Sequence, residues 1–307
     1  MKATLSGPAR ASVSHDNEAV LTVTIVICSR NRPELLRECL QAVSNLDPKP
    51  DEVLVVDNTQ GDMDTENAAA AFGARYTIEP VVGLSRARNR GLVESSTNIV
   101  AYLDDDAIPE HNWLGVLMAP FEDDNLAAST GRVVTPDSDH QLRIPRTLSN
   151  CDPDWFEIST FGGMGLGSNM AFRKSACPQP MFDVRLGRGA PFKIGEESYA
   201  LARLLSNNYK AVYQPTAIVF HPPLSRDTIE HEARNAIAYW LLLFKEFPEQ
   251  RMNLLRFLFR RLRHKPLNWV RDPQEPGEIV TSRWRVLLKA GIQALWLFLS
   301  TPKQKTP

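Results

Sequence analysis

The chain has 307 residues, enough to bury one large α/β domain or two small ones. With 43% hydrophobic and 23% charged residues it is neither a disordered chain nor one wholly embedded in a membrane. Its net charge of −1 argues against a protein that coats nucleic acid through bulk charge, so no nucleic-acid partner is expected.

Residues 1–19 carry Lys2 and Arg10 without the apolar run of a signal peptide, and read as a polar, disordered leader. The first strong element is Leu21 to Cys28, short, β-branched and nearly all apolar, as a strand buried on both faces should be. A polar turn, Ser29-Arg30-Asn31-Arg32, precedes Pro33, which suits the first turn of a helix. That helix runs to about Ser44 and places Leu36, Leu40 and Val43 on one face. A second buried strand, Glu52 to Val56, ends on Asp57; a polar, Ala-rich helical stretch then leads to a strand near Arg75 to Ile78. A loop at Val81–Leu84, a helix from about Ser85 to Ser95 and a strand from Asn98 to Leu103 follow, and the last ends on Asp104-Asp105-Asp106. This alternation predicts an α/β fold, a mostly parallel Rossmann-like sheet with helices on both faces. Such sheets bind ligands beyond the carboxyl ends of their strands, where Ser29, Asp57 and Asp104–Asp106 all fall.

The second half is less regular. Residues 135–165 mix Pro, Gly, Asp and Ser and read as loops. A short strand, Asn169 to Arg173, follows the glycine-rich run Gly162 to Gly167. Glu196 and Glu197 open a helix reaching about Asn207, and strands at Lys210–Tyr213 and Ala217–Phe220 lead to His221. Beyond residue 226 the pattern is helical and no longer alternates, which sets the expected division into a domain over 20–226 and a helical, partly basic region over 227–307. The four cysteines, Cys28, Cys39, Cys151 and Cys177, form no CxxC pair and read as reduced thiols of a cytosolic protein.

Two carboxylates on one side of a strand end repel unless a cation lies between them, and in extended geometry residues 104 and 106 share a side. Mg²⁺ or Mn²⁺, hard cations that also bind substrate phosphates, suit that environment. The triplet reads equally as an acidic turn capping a helix. Asp57 can accept from a ribose hydroxyl or a base N–H, or serve as an ordinary turn residue. Of Arg86, Arg88 and Arg90, which could neutralise a diphosphate, the first and last fit a solvated helix face. No dinucleotide glycine fingerprint and no Walker loop is present, which disfavours a dehydrogenase or a P-loop kinase.

The order of these pieces resembles the family 2 glycosyltransferases, inverting enzymes with the GT-A fold. Four segments carry the resemblance: Ile25 to Pro33; Val55-Val56-Asp57-Asn58; Gly83 to Gly91 with Tyr102 to Asp106 at the usual distance; and Gly167 to Arg173, followed by Gly195-Glu196-Glu197 and Val219-Phe220-His221. Together they cover about residues 21–223. The resemblance implies nucleotide-sugar contacts at Ser29, Arg32, Asp57, Arg88, Asp104 and Asp105. It implies a metal held by Asp106 and His221, and a sugar and acceptor pocket shaped by the glycine run through Gly167 and by Asn169. Glu196-Glu197 stands where the family has Glu-Asp, so Glu197, one methylene longer, takes the place of the catalytic base, with Glu196 as the alternative. Outside the resemblance, that pair reads as an acidic first helical turn and His221 as a loop residue; Asn169 is equally suited to a structural role.

The activity so implied is metal-dependent transfer of a sugar from a nucleoside-diphosphate donor, UDP-linked above all, to an acceptor hydroxyl with inversion. The acceptor would be a saccharide or a lipid-linked one, of the kind used in cell-envelope polysaccharide synthesis. The competing readings are a sugar-phosphate nucleotidyltransferase and a non-catalytic nucleotide-sugar binding protein. The first usually has a Gly-rich loop after the first strand, where this chain has Ser-Arg-Asn-Arg-Pro.

Residues 251–271 carry seven Lys/Arg and no acid, interleaved with Leu and Phe, a pattern suited to an anionic membrane surface. Trp284–Ser300 is apolar but short for a span and holds Arg285, Lys289 and Gln293. The expected location is cytoplasmic or peripheral on the cytosolic face; packing on the domain or dimer formation is the alternative for these helices.

Overall fold

The computed structural model describes residues 21–136, 144–223, 229–264 and 283–301; the expected leader, 1–19, lies outside them. The first half is a run of parallel strands and crossover helices. β1 (Val23–Ser29) is followed by α1 (Pro33–Ser44), β2 (Glu52–Asp57), α2 (Met63–Ala71), β3 (Arg75–Ile78), α3 (Leu84–Glu94) and β4 (Ile99–Asp104). Pro33 stands at the start of α1, where its missing N–H costs nothing, and Leu36, Cys39, Leu40 and Val43 form its buried face. These strands lie in the order β3-β2-β1-β4, all parallel, so the ends of β1, β2 and β4 emerge side by side.

After β4 the chain passes through β5 (Ile108–Pro109), α4 (Trp113–Met118), β6 (Leu126–Val134), β7 (Arg146–Leu148) and α5 (Trp155–Thr160). Then come β8 (Asn169–Arg173), α6 (Glu196–Ser206) and β9 (Lys210–Phe220). The sheet continues β4-β8-β6-β9-β5, with β7 also on β9. β8 is antiparallel to both β4 and β6, whereas β9 runs parallel to β6. Two apolar clusters cover the two faces, one built on α1, α2 and α4, the other on α3, α5, α6 and the C-terminal helices.

Two sequence expectations change here, and one strand is new. The span expected as loops, 135–165, contains β7 and α5, because Leu148, Trp155 and Phe156 are drawn into the core. The two strands read before His221 are one strand, β9, bent by a bulge at Pro215–Ala217. β6 gives no strand signal in its sequence, LAASTGRVV, yet lies buried between β8 and β9.

Three helices complete the described chain: α7 (Ile229–Glu246), α8 (Arg251–His264) and α9 (Arg283–Ser300). These helices pack on the rest of the described chain. Ala238, Tyr239, Leu242, Leu243, Leu254 and Ala294 belong to the same core cluster as α3 and α6, and the Tyr239 hydroxyl donates to the Thr160 carbonyl at 3.3 Å. No helix among the described residues is long and apolar enough to cross a membrane.

Candidate active site

The parallel strands deliver their C-terminal residues to one edge, where β4 ends at Asp104 and Asp105 and Asp106 lie not in continued strand, as the sequence suggested, but in a turn closed by the Ala107 amide on the Asp104 carbonyl at 3.1 Å. Asp105 turns inward and is fully buried. It accepts from the Ser29 hydroxyl at 2.7 Å and from Arg32, through Nε at 3.2 Å and through Nη2. Burial pushes its carboxyl up to about 6, against the opposing pull of Arg32 and Ser29. Asp104 and Asp106 turn the other way and meet His221, which follows β9. One oxygen of each carboxylate and an imidazole nitrogen all lie within 4.8 Å of one another.

The imidazole is oriented from behind. Its Nδ1 lies 2.8 Å from the Pro222 carbonyl, which can only accept, so Nδ1 carries a proton and Nε2 faces the carboxylates. Nε2 is 3.1 Å from Asp106 Oδ1 and 3.8 Å from Asp104 Oδ2. The shorter approach lacks the alignment of a hydrogen bond, leaving Asp106 Oδ1 buried without a donor. An orphaned anionic oxygen is costly unless a cation meets it, so these three residues fit a divalent ion. Burial alone would raise the Asp106 carboxyl, but His221 and Arg32 outweigh it and hold the acid below its ordinary value. Desolvation lowers His221, and the two aspartates with the Pro222 carbonyl reverse this and raise it. A cavity of about 440 Å³, lined by Asp106, His221, Leu35, Val134 and Phe220 among others, opens beside them.

Arg88 links the triplet to α6. Its guanidinium, only 2% exposed, reaches Asp104 at 3.2 Å and Glu196 at 3.0 Å and donates to the Gly167 carbonyl at 3.1 Å. A Cβ at Gly167 would lie 3.0–3.4 Å from this guanidinium, so the absence of a side chain there lets the loop close over it. Glu196 is thereby neutralised. Glu197 has no comparable partner; although part of the residue reaches the surface, its carboxyl is buried. Burial and the adjacent Glu196 charge push it up to about 8, against the attraction of Arg88.

Asp57, at the end of β2, is buried and half satisfied. Its Oδ2 accepts from the Thr59 hydroxyl at 2.8 Å, the Asp62 amide at 2.9 Å and the Tyr76 hydroxyl at 2.6 Å. Its Oδ1 is buried with no donor. Beside it, Asn58 shapes the loop before α3, donating to the Glu79 and Val81 carbonyls and accepting from the Gly83 amide.

The comparison with known proteins decides the family. Residues 24–180 match the family described as Glycosyl transferase family 2. The chain belongs to glycosyl transferase family 2. Among relatives, it is 39% identical over 100 residues to Glycosyltransferase AglE of Haloferax volcanii, spanning 30% of this chain and 33% of that one. It is 24% identical over 231 residues to an N-acetylglucosaminyltransferase of Rhizobium meliloti, spanning 70% of this chain and 54% of that one. The matches thus span about half or less of these relatives' own lengths. Among solved structures, the mannosyltransferase PcManGT from Pyrobaculum calidifontis, in complex with GDP-Man and Mn²⁺, superposes with a TM-score of 0.58 at 16% identity, covering 92% of this chain and 76% of that one. S. aureus TarS 1–349 in complex with UDP-GlcNAc gives 0.59 at 14% identity, covering 81% and 74%. Both likenesses establish the GT-A α/β fold.

Within this family 2 chain the expected site residues sort into three groups. Asp104, Asp106 and His221 converge, and Arg88 ties Glu196 to them. Ser29 and Asp105 are buried beside that surface, Ser29 donating to Asp105 and Asp105 also accepting from Arg32. Asn169 is buried: its Oδ1 accepts from Trp113 Nε1 at 2.9 Å, and its Nδ2 donates to the Arg132 and Ala217 carbonyls at 3.0 and 2.8 Å. It brackets β8, β6 and β9, with both N–H groups and one oxygen lone pair engaged by the protein. Sequence reasoning missed Tyr76, Asn58 and Trp113. Only Asn58, within the second matching segment, carried a local signal.

Proposed function

We propose that this protein transfers a sugar from a nucleoside-diphosphate donor to an acceptor hydroxyl with inversion at the anomeric carbon. The observation that carries this reading is the convergence of Asp104, Asp106 and His221 on a buried, donorless carboxylate oxygen, with Glu197 held nearby by the Arg88–Glu196 pair. The same arrangement suits Mg²⁺ or Mn²⁺, and a neighbour of the same fold carries Mn²⁺ with a nucleotide sugar. When bound, such an ion supplies Lewis-acid stabilisation to a departing diphosphate.

The chain's own residues supply the rest. The orphaned Oδ1 of Asp57 offers an acceptor for an N–H or O–H of the nucleoside. Arg32, partly exposed beside Asp106, adds positive charge near the phosphates. Glu197 takes the proton of the attacking hydroxyl; a carboxyl pushed up to about 8 is a stronger base than an ordinary one and ionises within the working pH range. Glu196, paired with Arg88, positions the start of α6. A single displacement needs one base and no nucleophilic side chain.

Calorimetric titration of UDP and GDP, each with and without Mn²⁺, followed by assay of the matching nucleotide sugars for nucleoside-diphosphate release, tests the reading. Mn²⁺-dependent binding with diphosphate release supports it. Pyrophosphate release from a nucleoside triphosphate and a sugar phosphate would replace it with a nucleotidyltransferase. Binding without turnover over any acceptor or water would replace it with a nucleotide-sugar binding protein.

A further inference from the structure

The chain's charge is unevenly placed. Residues 251–307 hold twelve Lys/Arg and three acids, in a protein whose overall charge is −1. The helices in this stretch each bury one side and leave an apolar stripe on another. In α8, Leu254 is buried, while Met252, Leu255 and Phe259, spaced three and four residues apart, are exposed. Exposed Arg256 adjoins that stripe, as does Arg260, which is exposed and also pairs with Glu157. In α9, Ala290 and Ala294 are buried and Leu297 and Phe298 pack on the same core cluster. Leu288, Ile292, Leu295, Trp296 and Leu299 recur at helical spacing on the outer side, and Trp296 is 69% exposed.

An apolar stripe of this kind in water marks a surface that something covers. A spanning arrangement does not fit, because α9 keeps its small-residue side against the core and no described helix is long and apolar enough to cross a membrane. A symmetric second copy fits poorly, since residues 251–271 carry no acid and an isologous contact would set arginine against arginine. Arginines beside leucine, phenylalanine and tryptophan match a surface that is apolar below and anionic above. We propose that the outer faces of α8 and α9 dock on an anionic lipid bilayer, with the apolar stripes at the headgroup–acyl boundary and the arginines on lipid phosphates.

The test is co-sedimentation of the full chain with phosphatidylcholine vesicles, with and without phosphatidylglycerol, at low and high salt. The expected result is partitioning that requires phosphatidylglycerol, weakens with salt, and falls by ~tenfold or more in Trp296→Glu/Leu299→Glu and in Phe259→Glu. Arg256→Gln, which alters charge and leaves the stripe intact, should weaken partitioning by a smaller factor on anionic vesicles alone. These side chains are solvent-facing, so Mn²⁺-dependent nucleotide binding should persist and report an intact fold. Absence of vesicle binding by the unaltered chain, equal binding to neutral and anionic vesicles, or undiminished binding by all the variants would each overturn the proposal. A solution dimer that Trp296→Glu dissociates, with no vesicle binding, would assign the face to a second copy instead.

Discussion

The two acid clusters at the sheet edge treat neighbouring carboxylates in opposite ways. In the triplet, Asp105 is spent on Ser29 and Arg32, and Asp104 and Asp106 meet a histidine with a buried oxygen left over. In the pair, Glu196 takes the salt bridge to Arg88, and Glu197 feels that guanidinium only at a distance. The triplet is supplied with cations, so Asp106 stays ionised below its usual range; the pair is starved of them, so Glu197 rises to about 8. In the proposed reaction one cluster would hold a positive ion and the other would hold and release a proton. A strand end running into a turn supplies the first arrangement, and successive residues of a helix start supply the second.

The sharpest way to break this comparison is within the triplet. Asp106→Asn should reduce Mn²⁺-dependent turnover by about 10³-fold and abolish the Mn²⁺ enhancement of diphosphate binding. Asp105→Asn, one residue away, should lower thermal stability and cost far less activity. Equal losses, measured by steady-state kinetics and calorimetry, would erase the division between the two aspartates.

Within the pair, Glu197→Gln should lower kcat by ~10²-fold or more with donor affinity little changed. Glu196→Gln keeps a hydrogen-bond acceptor for Arg88 and should be milder. A dead Glu196→Gln beside an active Glu197→Gln would move the base by one residue. The pH dependence follows in sign: a base pushed up to about 8 is protonated at neutral pH, so kcat/KM should climb about tenfold per pH unit up to that value and flatten above it. The native carboxyl also binds its proton more tightly than the unfolded one, so its contribution to stability is full below the ordinary glutamate value and is lost as pH rises through about 8. Thermal melts of Glu197→Gln should be flatter across that window. The smallest effect concerns the link between the clusters. Gly167→Ala sets a methyl against the Arg88 guanidinium and should reduce kcat/KM by roughly fivefold, a cost of about 1 kcal/mol.

The elements that announced themselves in the sequence are those whose signal is local. The apolar runs of β1, β2 and β4, the Pro33 start of α1 and the acidic opening of α6 can each be read within a dozen residues. β6 could not, because Ser129, Thr130 and Gly131 are buried by strands that arrive some forty and eighty residues later. The same holds for the site. The acid triplet was visible as a cluster, and the family resemblance placed His221 with it. The burial of Arg88, the retreat of Asp105 and the bracketing role of Asn169 depend on partners 16 to 108 residues distant. Residues whose role is to satisfy other buried groups leave no pattern in their own neighbourhood.

The bulge in β9 has a consequence for length. Gly131 of β6 pairs with Gln214, yet the next residue, Arg132, pairs with Ile218, so Pro215, Thr216 and Ala217 are extra on one side of the ladder. Asn169 plugs the gap by donating to the carbonyls that flank it. Everything downstream, including the His221 amide bonded to the Val134 carbonyl, takes its phase from that three-residue surplus. Removing one of the three would turn His221 to the opposite face of the sheet. Removing two would restore the face but slide the imidazole about 7 Å back along the strand. The segment between Gln214 and Ile218 should therefore accept changes of residue type more readily than any change in the number of residues.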